Sequence, residues 1–167
     1  MTVCTTLDTP LGELLLIGEP TQDGITLTSL SMPGQKYAPA VPPARHRDPQ
    51  AFAEVTRQLE AYFAGEPTTF DITFTPKGTE FQQRVWRMLE TIPHGSSTTY
   101  GKLAAQLGLA REHTQALGAA IGANPLLLVR PCHRVIGADG GMRGYAGGVE
   151  RKVWLLTHEG VLQPMLG

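Results

Sequence analysis

The 167-residue sequence has few cysteines, few aromatic side chains and no long apolar run. Its two cysteines, Cys4 and Cys132, lie far apart, which excludes a disulfide-rich scaffold. One disulfide between them is possible, but free thiols in a reducing compartment are favoured. No apolar stretch approaches the roughly 18 residues of a membrane-spanning helix. The first residues, MTVCTTLDTPLG, lack the basic segment and apolar core of a secretory signal. We therefore expect a cytoplasmic protein that does not enter a membrane.

Charge is sparse and unevenly distributed. Charged residues make up 17% of the chain, and the formal net charge is −1. Residues 1–76 carry four Lys/Arg and nine Asp/Glu, a net charge of −5, whereas residues 77–167 carry ten and six, a net charge of +4. The imbalance indicates an anionic partner, such as nucleic acid, for the second half, although a solvated surface can look the same. These two halves are also the predicted domains.

The first half, residues 1–76, has the pattern of a small α/β domain. Alternating apolar and polar residues predict two strands within 2–19, a third at 24–32 and a fourth at 68–76. A Pro-rich segment at 34–49 is typical of a loop. An amphipathic helix is predicted over 48–66, with Asp48 as its N-cap and Gly65 at its end.

The second half, residues 77–167, is predicted to be mostly helical. A helix capped by Thr79 is followed by two short helices, at 100–109 and 111–124, with the spacing of a helix-turn-helix. A last helix is predicted at 147–160. In the helix capped by Thr79, the residues predicted to face the core are Phe81, Val85, Met88 and Leu89. In the last helix they are Val149, Val153, Leu155 and Leu156.

The second helix of the helix-turn-helix, TQALGAAIGAN, carries no charge. A helix that reads the major groove normally presents Arg, Lys, Asn or Gln to base edges. Small side chains instead allow a close approach, either to the narrow minor groove or to another helix, and the residues leave both possibilities open. The predicted exposed positions are Ala116, Ala119, Ala120 and Gly122.

The stretch RPCHRVIG, residues 130–137, has the composition of a nucleophile site. A cysteine reacts as its thiolate, which a nearby base or positive charge favours, and Cys132 stands next to His133 and Arg134. Glu159 on the last helix could orient the histidine, giving a Glu–His–Cys relay. Neighbours in an extended segment point to opposite sides, so a water between thiol and imidazole is the expected link. A buried, inert cysteine is the alternative.

The sequence predicts neither a metal nor a cofactor. Cys4 and His46 have no partner at the short spacings of a zinc site, and Cys132 and His133 are too tightly spaced for one. The Gly-rich GADGGMRGYAGG, residues 137–148, lacks the features of a phosphate-binding loop. It is expected to be a flexible loop or the wall of a pocket for a flat ligand.

Several motifs together resemble one family, the O6-alkylguanine-DNA alkyltransferases, also called methylated-DNA–protein-cysteine methyltransferases. The most specific motif is PCHRV within NPLLLVRPCHRVIG, and GTEFQQRVW, TTYGKLA, GYAGG and KVWLLTHEG support it. The resemblance implies an α/β protein, with a small ribonuclease H-like N-terminal subdomain and a mostly helical C-terminal domain that carries the helix-turn-helix. It implies irreversible, single-turnover transfer of an alkyl group from O6-alkylguanine, and less readily O4-alkylthymine, in duplex DNA.

The resemblance also implies roles for individual residues. Cys132 would be the alkyl acceptor, and His133 would take its proton through a water while Glu159 holds the imidazole. Asn124 would brace the cysteine loop, and Tyr100 would protonate the departing base. The implied base pocket is Val135, Tyr145, Ala146 and Gly147.

The same resemblance implies a DNA-binding surface. The helix at 114–123 would enter the minor groove of double-stranded DNA, which the protein would bind as a monomer, with cooperative binding left open. The implied DNA-binding residues are Thr98, Thr99, Gln115, Ala116, Ala119, Gly122 and Arg134.

Three positions depart from the family pattern. Gln115 stands where an arginine usually replaces the rotated base, Arg130 where an aliphatic residue is usual, and Ala146 where a serine is frequent. Gln115 mildly favours an alternative function, a non-catalytic protein that binds alkylated DNA and recruits other repair systems. Cys132 argues against it, because such relatives replace the acceptor. A thiol hydrolase, the third possibility, would leave the helix-turn-helix without a purpose.

Overall fold

The computed structural model describes residues 1–36, 38–74 and 77–163. The described residues divide into two compact units, one within 1–75 and 125–129 and the other within 76–124 and 130–167. The predicted division at residue 76 did not anticipate that the short segment 125–129 returns to the first unit. No described helix is both long and apolar enough to cross a membrane.

The first unit contains a three-stranded antiparallel sheet with strand order β1-β2-β3. The strands are β1, Val3–Thr9; β2, Gly12–Thr21; and β3, Gly24–Ser31. They confirm the first three predicted strands. The hairpin turns are tight, with Thr9 opposite Gly12 and Thr21 opposite Gly24. Both glycines have positive φ, +106° and +151°, which a β-carbon would disfavour.

One helix packs with this sheet. Helix α1, Ala53–Phe63, follows a 3-10 turn at Pro49–Phe52 that Asp48 caps by accepting a hydrogen bond from the Ala51 amide. The predicted capping residue is therefore confirmed. Fully buried side chains of strands and helix form the core: Leu14, Leu16, Leu27, Leu30, Phe52, Leu59 and Tyr62.

The predicted fourth strand, 68–76, is wrong within the described residues, which end at 74 in this segment. Only an isolated parallel bridge between Leu27 and Phe74 is present. The Gln58 side chain of α1 bonds to both the amide and the carbonyl of Asp71, at 2.8 and 3.0 Å, so a side chain occupies the groups that a strand would use. Part of the outer edge of β3, where a fourth strand would pair, is occupied by the returning segment 125–129, which pairs with Leu30.

The second unit is mostly helical, as predicted. Its helices are α2, Glu80–Leu89; α3, Tyr100–Gln106; α4, Thr114–Gly122; and α5, Val149–His158. Two short parallel strands accompany them, β4, Thr98–Thr99, and β5, Val135–Ile136. Thr79 and Gln82 form a reciprocal capping box at the start of α2, which confirms the predicted cap. Gly108, at φ +69°, lies in the turn between α3 and α4.

Two of the predicted helix faces need correction. In α2, Phe81 and Met88 are only half-buried, whereas Trp86 is buried and its Nε1 donates to the Ala120 carbonyl at 2.9 Å. In α5, Val149 and Val153 are 42% and 38% exposed. The buried face of α5 instead contains Lys152, Leu155 and Leu156. Hydrophobicity alone does not predict the buried face of α5, because Lys152 is buried and donates hydrogen bonds to backbone carbonyls.

Candidate active site

Cys132 lies in a short loop that is fixed on both sides. Pro131 has φ −81° and ψ 63°, and the Cys132 amide donates to the Arg130 carbonyl at 2.8 Å, the geometry of an inverse γ-turn. A 3-10 turn, Cys132–Arg134, leads directly into β5, which pairs with β4. Proline suits this turn because its ring fixes φ near the required value. The loop holds the Cys132 side chain in place, with the residue only 4% exposed.

Behind the thiol lies a buried charged network. His133 Nε2 is 2.7 Å from Glu159 Oε2, with both side chains fully buried. Arg134 donates to both oxygens of the same carboxylate, at 2.7 and 3.1 Å, and to the Ile92 carbonyl at 2.6 Å. The prediction that Arg134 binds DNA does not fit this burial, because its guanidinium is engaged inside the protein. Arg134 instead holds Glu159.

The network determines which nitrogen of His133 accepts a proton. Burial opposes ionisation of Glu159, yet hydrogen bonds from His133 and Arg134 keep the pKa of its carboxyl below the usual range. Burial lowers the pKa of His133, although Glu159 favours the imidazolium. A neutral imidazole beside a carboxylate donates its Nε2–H, which leaves Nδ1 as the acceptor. Nδ1 is buried and has no hydrogen-bond partner among the described residues.

The thiol itself is protonated at rest. Burial raises the pKa of Cys132, while a hydrogen bond from Asn124 and the positive charges of Lys152 and Arg130 act in the opposite direction. Asn124 is 2% exposed, and its Nδ2 lies 2.9 Å from the Arg130 carbonyl and 3.3 Å from Cys132 Sγ. The structure thus brings Asn124, Cys132, His133 and Glu159 together in one unit. Such a thiol needs a base to become nucleophilic.

Lys152 is a member of the site that sequence reasoning missed. Its ammonium donates to the carbonyls of Val135 at 2.6 Å, Met142 at 2.6 Å and Gly144 at 3.1 Å. Burial lowers its pKa to about 8, but three carbonyl acceptors match the three N–H donors of the charged form. A signal was present, because Lys152, Leu155 and Glu159 recur at the spacing of one helical face.

In front of the thiol lies a cavity of about 200 Å³. Its lining contains the predicted residues Tyr100, Tyr145 and Ala146 together with Cys132, and adds Gly118, Ile121, Gly122 and Gly144. Burial raises the pKa of the Tyr100 hydroxyl, and Cys132 adds to the effect. The lining residues carry no charged side chain, so this side of the thiol offers shape and a phenol rather than charge.

Two residues predicted for the base pocket do not line this cavity. Val135 is fully buried, and its carbonyl accepts the bond from Lys152. Gly147 is buried, and its carbonyl accepts from Arg151 at 3.0 Å. Both carbonyls therefore serve as acceptors for basic side chains of α5. The helix residues Gly118 and Ile121 were not found from the sequence because the α4 pattern does not reveal which face meets the thiol.

The exposed face of α4 is uncharged. Gln115, Ala116, Ala119 and Gly122 are exposed, whereas Ala120, predicted to be exposed, is buried and its carbonyl accepts the Trp86 bond. Thr98 and Thr99 are half-buried, and Thr99 caps α3 by accepting from the Lys102 amide at 3.1 Å. Within the described residues, no group of three or more His, Cys, Asp or Glu side chains is placed to hold a metal.

Comparison with known proteins gives one consistent result. Residues 2–76 match the ribonuclease-like domain of 6-O-methylguanine DNA methyltransferase, and residues 80–161 match the DNA binding domain of the same family. The methylated-DNA–protein-cysteine methyltransferase of Mycolicibacterium paratuberculosis is 49% identical over 154 residues, 92% of this chain and 90% of that protein. The constitutive one of Bacillus subtilis is 42% identical over 161 residues, 95% and 96%.

Solved structures give the same result. The O6-methylguanine methyltransferase of Mycobacterium tuberculosis superposes with a TM-score of 0.82 at 44% identity, covering 99% of this chain and 97% of that one. The M. tuberculosis OGT in complex with DNA superposes with a TM-score of 0.80 at 43% identity, covering 93% and 92%.

Proposed function

The chain belongs to the methylated-DNA–protein-cysteine methyltransferase family, and from this premise we propose that it repairs O6-alkylguanine in duplex DNA by moving the alkyl group onto Cys132. As a member it is a DNA-binding enzyme that transfers a methyl group to a protein cysteine. The observation that carries the proposal is the position of Cys132, between the buried His133–Glu159 pair and an uncharged cavity.

The proposed reaction begins with proton transfer. The thiol proton passes through a water to His133 Nδ1, and Glu159 stabilises the imidazolium that forms. Asn124 Nδ2, 3.3 Å from Sγ, stabilises the thiolate. Because burial disfavours the thiolate until this step, the cysteine is protected from reaction before a substrate enters.

The thiolate then attacks the alkyl carbon. An S–C bond forms, the C–O6 bond breaks, and its electron pair remains on the guanine. The base takes a proton from the Tyr100 hydroxyl, and the proton held by His133 returns through solvent to the tyrosinate. The products are guanine in DNA and S-alkylcysteine. The sulfur of a thioether is a poor leaving group at neutral pH, so we propose that each molecule reacts once.

The same geometry supports base rotation. Cys132 is 4% exposed, so an alkylated base inside a duplex cannot reach it without leaving the stack. We propose that α4 presses Ala116, Ala119 and Gly122 into the minor groove, where small residues permit close approach without reading sequence. Gln115 would fill the space left by the base, and Thr98 and Thr99 would contact the backbone. The smaller O4-alkylthymine would enter the cavity less productively.

Intact-protein mass spectrometry tests the proposal. The protein is mixed with duplex DNA containing O6-methylguanine, and we expect the mass of one methyl group to appear on the peptide that contains Cys132. Cys132→Ser should gain nothing. Cys4→Ser, which alters the other buried cysteine in β1, is the matched control and should still be methylated.

A different outcome would support the alternative function. Tight binding to the lesion without any gain in mass would contradict alkyl transfer and favour a protein that marks alkylated DNA for other repair systems.

A further inference from the structure

Arg130 is a buried cation that the mechanism above does not use. It is the largest of the fully buried side chains described, 1% exposed. Its Nε donates to Glu90 Oε2 at 3.2 Å, and its guanidinium carbon lies 4.7 Å from the centroid of the Trp86 ring. An ion pair on one side and an aromatic face on the other hold the guanidinium in one position.

Packing alone does not explain a charge at this position. Removing a guanidinium from water costs free energy, and replacing a buried ion pair by apolar residues of similar volume is often neutral or stabilising. Glu90 offsets only part of this cost, since its side chain is itself 35% exposed. The aliphatic residue expected from the family pattern would fill the same space without a charge.

The guanidinium meets the amide that faces the thiol. Arg130 Nη1 donates to Asn124 Oδ1 at 3.4 Å, while Asn124 Nδ2 lies 2.9 Å from the Arg130 carbonyl and 3.3 Å from Cys132 Sγ. Turning the amide by half a rotation would place its NH₂ against the guanidinium and its oxygen against the sulfur. Donors would then face donors, and an acceptor would face the thiolate. The guanidinium, at Oδ1, and the Arg130 carbonyl, at Nδ2, therefore favour the same amide orientation, the one that suits a thiolate.

We propose that Arg130 is a positioning residue for the transfer reaction, whose guanidinium fixes the Asn124 amide so that Nδ2 points at Cys132 Sγ and stabilises the thiolate. This inference rests on the proposed function in taking Cys132 as the reacting group. Arg130 would thus stabilise the thiolate through the Asn124 amide, independently of the relay of His133 and Glu159.

Alkylation by iodoacetamide tests the proposal without DNA. The rate of modification of Cys132, measured from its peptide by mass spectrometry, is followed as a function of pH in the wild type and in Arg130→Met. We expect the variant to react about tenfold more slowly at neutral pH and equally fast once the thiol is fully ionised. Arg84→Met removes an arginine that bonds to the Leu107 carbonyl, and this control should leave the profile unchanged.

A double-mutant cycle separates positioning from simple charge. In an Asn124→Ala background, Arg130→Met should have little further effect on the pH profile, because the amide that it orients is absent. An unchanged profile in Arg130→Met alone would overturn the proposal. So would a shift of the same size in the Asn124→Ala background, since the charge would then act without the amide.

Two further arms keep the test decisive. If Arg130→Met fails to fold, the pair Glu90→Leu/Arg130→Met removes both charges together and is measured in its place. Because iodoacetamide reads the thiol directly, the pH profile can be obtained even if the protein takes no methyl group from DNA. Failure of the proposed function and failure of the Arg130 proposal therefore give different results.

Discussion

The two sides of Cys132 differ in chemistry. Behind it lie buried ionic groups, each with partners: the His133–Glu159 pair held by Arg134, and Lys152 with its three carbonyls. In front of it lies a cavity lined by glycines, an isoleucine, an alanine and two tyrosines. The difference indicates a division of work in which the charged side forms the thiolate and the uncharged side decides which alkylated base fits.

This division can be tested by comparing methyl and benzyl transfer. A variant of the charged side should slow both reactions equally, because the same thiolate attacks both groups. A variant of the cavity should change the ratio of the two rates and leave the pH dependence unaltered. The following substitutions are ordered by the size of the expected effect.

Glu159→Gln should have the largest effect. Loss of the carboxylate removes the group that supports imidazolium formation, and we expect methyl and benzyl transfer to be roughly 100- to 1,000-fold slower, as measured by single-turnover kinetics. The variant also leaves Arg134 buried without its anion, at a cost of about 3–5 kcal/mol in the free energy of unfolding at neutral pH. Glu150→Gln changes an exposed carboxylate on α5, the helix that ends just before Glu159, and should change neither quantity.

The Glu159 network also predicts an acid dependence. Because the folded-state pKa of Glu159 is below its ordinary 4.5, its contribution to stability is complete above pH 4.5 and is lost as the pH falls below that value. The difference in unfolding free energy between the wild type and Glu159→Gln should therefore shrink in acid. Urea denaturation at several pH values measures it, and a constant difference would contradict an ionised Glu159.

Lys152→Met should have the next largest effect. Three carbonyls lose their donor, and we expect the free energy of unfolding to fall by about 3 kcal/mol. Loss of the positive charge near the thiol should slow both transfers roughly 10- to 100-fold. Arg151→Met removes the neighbouring side chain and its bond to Gly147, and it should cost much less on both measures. A normal rate in Lys152→Met would assign this lysine to the fold alone.

Gly118→Leu should have the smallest effect on the methyl reaction and a selective effect on the benzyl reaction. A β-carbon at residue 118 meets no atom within 4 Å, and Gly118 lines the cavity, so we expect a leucine there to reduce the space for a bulky alkyl group. We expect the ratio of benzyl to methyl transfer to fall about tenfold. Gly101→Leu, on α3 and outside the cavity lining, should leave the ratio unchanged, because effects on DNA binding cancel in it. An equal loss for both groups would contradict the division.

The sequence predicted local features, such as helix caps, better than contacts between residues that are distant in the chain. The PCHRV motif located the thiol, and Thr79 and Asp48 were identified as caps because capping depends only on nearby residues. Over the described residues 68–74, the predicted strand was wrong because alternation does not reveal that Gln58 binds the Asp71 backbone. The α5 face was wrong because hydropathy assigns a lysine to solvent, and no local pattern shows the three carbonyls that Lys152 meets.

The candidate site followed the same rule. The resemblance implied that Arg134 contacts DNA, but the residue is held inside the protein by Glu159 and Ile92, two partners that are distant in sequence. Gly118 and Ile121 line the cavity but were not predicted from the sequence, because the packing of α4 decides which of its faces meets Cys132.

The returning segment 125–129 has a consequence for how the chain assembles. Leu30 of β3 accepts a hydrogen bond from Leu127 and donates one to Pro125, and the next turn places the buried Leu128 at φ +72°, a conformation that leucine rarely adopts. This segment connects Asn124 directly to Arg130, so the backbone that leads into the thiol loop is templated by a strand made much earlier in synthesis. Pairing of this kind closes a long loop and therefore carries an entropic cost that the contacts with the sheet must offset. A fragment without the amino-terminal sheet would lack the backbone groups of Leu30 that pair with this segment.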